Sequence, residues 1–219
     1  MSEPGAFGEY LARIGERFIP APDEVPAHDR RNAPPGSSPE RRDEPVEHPT
    51  IPRCFRWAAL QAPELRQRVA RIQAIAEGAA ALSSHGLLLV GPSASGKTSL
   101  ACALLRQWEA RNPRRRGMFV AARRLGVARG HNGFGHGEAP EVERAMSAPL
   151  LLIDDLGGER NLATNAVPDV IAERADAELP TWVTTWMTPQ AIAERYGDGI
   201  ARRLYEAGRV MVIACGKES

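Results

Sequence analysis

The sequence predicts an α/β fold, a parallel β-sheet flanked by helices, and three observations support this fold class. Short apolar runs alternate with segments of helical periodicity, as in chains that join parallel strands by right-handed crossovers. One apolar run is followed at once by a glycine-rich loop and an apolar helix pattern. Another apolar run ends in two aspartates, which is typical of a buried parallel strand that delivers carboxylates at its C-terminal end.

The remaining elements follow from the same alternation. Apolar runs predict strands at residues 87–90, 118–122, 150–153, 180–185 and 210–214. Helical stripes, proline starts and an Asn-Pro stop predict helices that start at Ala62-Pro63, end at Asn112-Pro113, span residues 166–178, start at Thr188-Pro189, and run from Gly199 to Glu206. Residues 126–140 contain five glycines, so we expect a mobile loop there.

The composition argues against several classes of protein, among them membrane and secreted proteins. The chain has 219 residues and a formal net charge of +1, which implies no overall attraction to nucleic acid or membranes. Its three cysteines are far apart and show no metal-ligand spacing. No apolar run approaches the about 20 residues that span a bilayer, and the first residues lack a signal-peptide pattern. We therefore expect a cytoplasmic protein without membrane contact.

The N-terminal quarter differs in composition from the rest. Residues 1–18 include an apolar stripe that predicts a short amphipathic helix, which either packs on its own domain or docks on a partner. Residues 19–52 hold nine of the eighteen prolines and few large apolar residues, so they are predicted to be a disordered linker. The folded domain is predicted to span residues 53–219.

The glycine-rich loop matches the pattern G-x-x-x-x-G-K-[ST], which binds phosphates. Its two glycines permit close approach of the backbone, and its N–H groups converge on an anion at a helix N-terminus. Lys97 is predicted to contact the β- and γ-phosphates, and Thr98 to provide a ligand for Mg²⁺. The residues assigned to nucleotide binding are Gly91, Pro92, Ser93, Ala94, Ser95, Gly96, Lys97, Thr98 and Ser99.

The two aspartates after residues 150–153 form a Walker B pattern. An apolar strand ending in an acid is weak evidence alone, but it is strong about 56 residues after a complete phosphate loop. Asp154 is predicted to hold Mg²⁺, directly or through water. Asp155 is predicted to act as general base toward the attacking water.

These motifs together resemble the AAA+ ATPases, and among them the subgroup of DnaC-type helicase loaders and IstB-type transposition helpers. The stretches that carry the resemblance are GPSASGKTSL, APLLLIDDLGGE, LPTWVTT and YGDGIARRL. They imply a P-loop NTPase fold over about residues 53–215 that binds ATP and Mg²⁺. The C-terminal lid domain of most AAA+ proteins is not expected, as is typical of this subgroup.

The resemblance also implies roles for residues outside the phosphate loop. Arg203 would be an arginine finger that acts in trans on ATP bound by a neighbouring copy, with Arg202 as the alternative. Trp186 replaces the polar sensor residue, often asparagine, at the end of the fourth strand. Because an indole N–H only donates, Trp186 cannot orient a water as an acceptor, unless Thr185 substitutes. Slow hydrolysis is therefore expected.

Three functions remain open from the sequence. The first is a helicase-loader-like ATPase that contacts a replicative helicase and DNA, most simply single-stranded DNA through Arg123, Arg124, Arg129 and Phe134. The second is an IstB-like helper that binds DNA and directs a transposase. The third is an ATP-binding adaptor with little turnover. The N-terminal stripe and linker favour the loader.

Overall fold

The computed structural model describes residues 48–68, 86–132, 135–159, 164–205 and 210–215. Its centre is a five-stranded sheet in the order β2-β3-β4-β1-β5, and all four strand pairs are parallel. The strands are β1 (Gly86–Val90), β2 (Met118–Ala121), β3 (Leu151–Leu156), β4 (Thr181–Thr185) and β5 (Val210–Ala214). All five strands occur where the apolar runs predict them.

Helices cover both faces of this sheet. A 3₁₀ turn at Arg53–Phe55 precedes α1 (Pro63–Arg68), α2 (Lys97–Arg111), α3 (Ala122–His131), α4 (Pro140–Ser147), α5 (Ala166–Asp176), α6 (Pro189–Tyr196) and α7 (Asp198–Tyr205). The Thr188 hydroxyl accepts a hydrogen bond from the Ala191 N–H, so it caps α6 as the sequence predicts. None of the described helices is long and apolar enough to span a membrane.

The alternation of side chains along β1 explains the three layers. Leu87 and Leu89 pack with α2 on one face, and Leu88 packs with α5, α6 and α7 on the other. All three leucines are buried. A strand covered on both faces favours an uninterrupted apolar run, and the sequence supplies one in β1 and in the first half of β3, whereas β4 carries threonines.

Strand order decides which loops meet. After β1 the chain forms β2 and β3, with β2 as an outer strand of the sheet, and β4 then lies between β3 and β1. The carboxyl ends of β1, β4 and β3 are therefore neighbours at one edge of the sheet. In open parallel sheets, ligands bind at this edge, where strand order switches.

The ordered domain begins before residue 53, so the predicted linker is too long by at least five residues. Ile51 lies in the core, and the Thr50 hydroxyl accepts from the N–H of Phe119 on the edge strand β2. His48 Nε2 lies 2.9 Å from a Glu109 carboxylate oxygen on α2. These contacts fasten a segment whose composition alone predicted no packing. The predicted helix at residues 1–18 and the linker up to residue 47 lie outside the described residues.

The predicted mobile loop at residues 126–140 is also partly wrong. Residues up to His131 continue α3, and α4, which the glycine count obscured, begins at Pro140. Proline in the first turn and two glutamates after it favour that start. Arg129 fastens the connection, because its guanidinium donates to the carboxylates of Glu138 and Asp169.

Arg174 is the largest buried polar side chain of the described part of the chain and is 0% exposed. Its guanidinium donates to the carbonyls of Ala145, Met146, Ala148 and Pro180, and to the Thr181 hydroxyl. Burial lowers its pKa to about 10. The charge is compensated by carbonyl dipoles at the end of α4, so this arginine joins α4 and α5 to the start of β4.

We expect R174M to lower the free energy of unfolding by about 3 kcal/mol, because four buried carbonyls would lose a donor. Urea unfolding followed by circular dichroism measures the change. R144M is the matched control, since Arg144 is exposed on α4 and, among the described residues, bonds only the Pro140 carbonyl. A change in R174M no larger than that in R144M would show that the buried arginine contributes little.

Candidate functional site

The phosphate loop is shaped by left-handed backbone at Ala94 and Gly96, with φ of 64° and 88°. Such turns direct successive N–H groups into one concavity, which is an anion-binding geometry. Gly91 has a different reason to be glycine. A Cβ at Gly91 would lie 1.8 Å from the Cys215 carbonyl oxygen, because the end of β5 runs directly against the loop.

Lys97 begins α2 and turns back into the loop. Its ammonium donates to the carbonyls of Gly91 and Pro92 at 2.7 and 2.6 Å. Burial lowers the pKa of Lys97, although the Cys215 thiol and both aspartates of β3 oppose that shift. The Ser95 Oγ is buried and has no hydrogen-bond partner in the parts of the chain that the structure describes. The loop therefore holds a cation and an unsatisfied hydroxyl where the motif predicts phosphate oxygens.

Asp154 accepts two hydrogen bonds on one carboxylate oxygen, from Thr98 and from Thr184, each at 2.7 Å. Thr98 belongs to α2 and Thr184 to β4, so the contact joins three elements. Burial raises the pKa of Asp154, and both hydroxyls oppose the shift. The structure thus brings Lys97, Thr98 and Asp154 together at the carboxyl edge of the sheet, as the strand order requires.

Asp155 leaves the strand ladder and faces solvent. Its φ is 58°, a left-handed value that is uncommon for a residue other than glycine, although aspartate adopts it more readily than most. Its N–H donates to the Thr184 hydroxyl at 3.0 Å, and the register with β4 is irregular between Ile153 and Leu156. A Cβ at Gly158 would lie 2.4 Å from the Asp155 carboxylate, so a glycine turn packs beneath this acid.

Thr184 is a site residue that the sequence interpretation missed. The sequence alone suggests Thr185 as the substitute for the polar sensor. In the structure, however, the Thr185 hydroxyl donates to the Leu156 carbonyl and accepts from the Met187 N–H. Both threonines are buried, but it is Thr184 that contacts both aspartates. The alternation of side chains along β4 could have indicated which of the two threonines faces the acids.

Trp186, which follows these threonines, is 54% exposed. Its indole nitrogen lies 3.5 Å from the position of a Cβ built on Gly157, next to the glycine turn after Asp155. An indole N–H can donate to a phosphate oxygen but cannot accept from a water. The position that the resemblance assigns to a polar sensor therefore offers a donor only.

Arg203 lies elsewhere. Its guanidinium is 3.1 Å from an Asp176 carboxylate oxygen at the end of α5. Helix α5 ends before β4 begins, and α7 ends before β5 begins, so Arg203 lies toward the amino edge of the sheet. The phosphate loop lies at the carboxyl edge, about 16 Å away for a five-residue strand. The structure does not bring Arg203 to its own chain's loop. Arg202 is exposed on the same helix.

The arginines considered for contact with single-stranded DNA are mostly engaged. Arg129 is held by Glu138 and Asp169, and Arg124 lies 3.3 Å from Glu141. Phe134 lies outside the described residues. In the described part of this set, Arg123 is exposed and is not held by an acid.

The residues at this edge fit a nucleoside triphosphate with Mg²⁺. The loop provides converging N–H groups, the Lys97 ammonium and the unsatisfied Ser95 hydroxyl. Thr98, Asp154 and Thr184 present only oxygen atoms, which Mg²⁺ prefers. No cluster of three or more His, Cys, Asp or Glu side chains that could hold a metal by themselves occurs among the described residues. Thr98 and Asp154 would hold a magnesium ion here, and the ion would supply positive charge next to the phosphates.

The two adjacent threonines provide a matched test of this geometry. We expect T184V to weaken Mg²⁺-dependent nucleotide binding by about tenfold, because the Asp154 carboxylate would lose one of the hydroxyls that orient it. We expect T185V instead to lower the free energy of unfolding by about 1–3 kcal/mol, because a buried carbonyl and N–H lose their partner. Titration calorimetry with ATP, with and without Mg²⁺, and urea unfolding separate the two effects. Equal effects of both variants on binding would contradict the assignment of Thr184.

Comparison with known proteins identifies the fold. No protein-family model and no curated protein matches the sequence. Among solved structures, the chain is similar to the DnaC helicase loader, with a TM-score of 0.64 and 20% identity over 75% of this chain and 100% of that one. It is also similar to DnaI, with a TM-score of 0.59 and 22% identity over 76% and 95%.

A third similar structure is AMPPCP-bound DnaA from Aquifex aeolicus, with a TM-score of 0.51 and 20% identity over 71% of this chain and 50% of that one. The chain thus spans about half of the DnaA structure and nearly all of the two preceding ones. The predicted fold class is confirmed. The chain has a parallel five-stranded sheet flanked by helices, which matches the P-loop AAA+ fold of the similar structures.

Proposed function

We propose that this protein is an ATPase of the helicase-loader type, which binds ATP with Mg²⁺. It uses ATP binding and hydrolysis to control its assembly into oligomers and its contacts with DNA and a helicase. The observation that carries the proposal is the Asp154 carboxylate held by Thr98 and Thr184 beside Lys97. One carboxylate, two hydroxyls and one ammonium at the end of a phosphate loop form a site for a metal-bound triphosphate.

Each residue has a part in the proposed reaction. The loop N–H groups and Lys97 hold the β- and γ-phosphates, and Thr98 with Asp154 positions the metal. Magnesium, when bound, neutralises charge on the phosphate oxygens. Asp155 is exposed on its strained turn and accepts the proton of the attacking water. Trp186 donates a hydrogen bond to an oxygen of the γ-phosphate, which helps to retain ATP. Because the indole cannot accept from the attacking water, that water is poorly oriented and hydrolysis is slow.

The location of Arg203 supports a reaction shared between two copies. Arg203 lies toward the edge of the sheet opposite its own phosphate loop, so it can reach only the triphosphate of a neighbour. Its pair with Asp176 does not prevent this role, because the carboxylate is 69% exposed and such pairs are worth at most about 1 kcal/mol. Hydrolysis is therefore slow in single copies and rises on assembly.

The partners are proposed from the resemblance and the similar structures. A loader contacts a replicative helicase, and residues 1–18 are the candidate docking segment. One similar structure is the replication initiator DnaA bound to AMPPCP and single-stranded DNA, which supports single-stranded DNA as the nucleic-acid partner. Its TM-score of 0.56 and 18% identity make this a likeness of fold.

We expect K97A to weaken ATP binding by about tenfold or more, because it removes a charge-assisted contact to the phosphates. We expect R203A to bind ATP normally and to lose about 10³-fold or more in turnover of the assembled protein. Binding is measured by calorimetry and turnover by phosphate release at increasing protein concentration. R202A is the matched control on the same helix and should retain most of the turnover.

Mixing variants tests the trans arrangement directly. A mixture of R203A with D155N should recover turnover, because one copy contributes the acid and its neighbour the arginine. If R203A alone turned over ATP at the wild-type rate in the assembled state, the trans role would be wrong. If the wild-type chain bound ATP without measurable turnover at any concentration, with or without single-stranded DNA, the ATP-binding adaptor would replace the ATPase.

A further inference from the structure

A buried carboxylate lies three residues after the end of β3 and is not explained by nucleotide binding. Glu159 is 5% exposed. One of its oxygens accepts from the Gly157 N–H at 3.1 Å, and the other accepts from the Tyr196 hydroxyl. Gly157 has a φ of 101°, and the Gly158 N–H donates to the Asp155 carbonyl at 2.9 Å. Glu159 therefore closes the glycine turn that lies beneath Asp155.

Tyr196 is held at this contact from a second side. The Arg195 guanidinium donates to the Tyr196 oxygen at 3.2 Å and to the Glu159 backbone carbonyl, and it lies 5.6 Å from the centre of the tyrosine ring. Burial, followed by the neighbouring carboxylate, raises the pKa of the Tyr196 phenol, so the phenol is protonated and donates at neutral pH. A buried carboxyl group that accepts a hydrogen bond on each oxygen is costly to distort.

Tyr196 is also the last residue of α6, and only Gly197 separates it from α7. The Gly197 N–H donates to the Ala193 carbonyl, and its carbonyl accepts from Ile200 at 3.2 Å, so the corner is hydrogen-bonded on both sides. Along α7, Arg203 lies five residues after Asp198, the first residue of the helix, or about 7.5 Å at the rise of an α-helix. Fixing Tyr196 thus fixes the start of the helix that carries both arginines.

We propose that Glu159 and Tyr196 form a strut that couples the turn beneath Asp155 to the arginine helix α7, so that the occupancy of one nucleotide site sets the position of the arginine offered to the next. The strut rests on the proposed function. Asp155 serves the ATP of its own chain and Arg203 serves that of a neighbour. A rigid link between them inside one chain therefore connects adjacent sites of an assembly. Glu159 and Tyr196 are positioning residues, since neither lies among the groups that would touch the triphosphate.

The strut makes a distinctive prediction for Y196F, which removes the hydroxyl and keeps the ring. The full-length variant should bind ATP with Mg²⁺ with a Kd within about twofold of wild type, while kcat of the assembled protein falls about fivefold, the effect of losing one hydrogen bond. In wild type, ATP with Mg²⁺ should slow hydrogen exchange in peptides covering residues 198–205. In Y196F the same ATP occupancy should leave that exchange unchanged.

Two further variants make the result specific. E159Q keeps the shape of the side chain, but its single amide oxygen cannot accept from both donors at once. It should therefore also lower kcat while leaving the Kd for ATP unchanged, and it serves as the test if Y196F is poorly folded. E194Q is the control, because Glu194 is on α6 and its carboxylate, within the described part of the chain, bonds only Gln190 on the same helix. It should match wild type in every measurement.

The outcomes separate the strut from the proposed function. A wild-type chain that binds no ATP overturns the proposed function, and the strut with it. A Y196F or E159Q chain that binds ATP and still shows the wild-type slowing of exchange in residues 198–205 overturns the strut alone. If in both variants the loss of kcat is matched by an equal loss of ATP affinity or by a general increase in exchange, the strut is also overturned, since that pattern belongs to a structural role.

Discussion

The contact on which the site depends is the double hydrogen bond to Asp154. Thr98 brings α2 and the phosphate loop to it, and Thr184 brings β4, so one carboxylate oxygen fixes three elements at the carboxyl edge of the sheet. Thr184 also accepts from the Asp155 N–H, which places the second acid relative to the first. Because side chains alternate along a strand, this arrangement holds only while β3 and β4 keep their register up to Ile153.

The same contact places opposite charges in a poorly solvated space. Burial raises the pKa of Asp154 and lowers that of Lys97, so each group is less easily ionised than in water. The packing of the sheet offsets that cost, since the leucines of β1 and β3 are buried on both faces. Such preorganised charges cost little reorganisation when a triphosphate and its metal arrive. A ligand that carries both signs of charge, such as a triphosphate with its metal, therefore matches the carboxylate of Asp154 and the ammonium of Lys97.

The sequence was sufficient wherever a pattern is local. The phosphate loop, the strand that ends in Asp154, and the cap of α6 at Thr188 are short-range signals, and the structure has each of them. It was insufficient where long-range contacts decide. His48 packs because Glu109 is folded against it. Nearby glycines obscured α4 in the sequence, while Arg129 holds Glu138, which lies just before the start of that helix. Thr184 and Glu159 have partners 30 and 37 residues away, which no periodicity shows.

A parallel sheet has consequences for assembly. Its strands separate the loop edge from the opposite edge by about 16 Å, so an arginine placed at the second edge cannot complete the first within one chain. In the proposed arrangement, Arg203 completes the site of a head-to-tail neighbour, and such contacts repeat into rings or filaments. In that arrangement each chain lies between two nucleotides and needs a rigid path from one to the other. The path from Asp155 through Glu159 and Tyr196 to α7 consists of a tight turn, a buried hydrogen bond and a helix, and all three deform little.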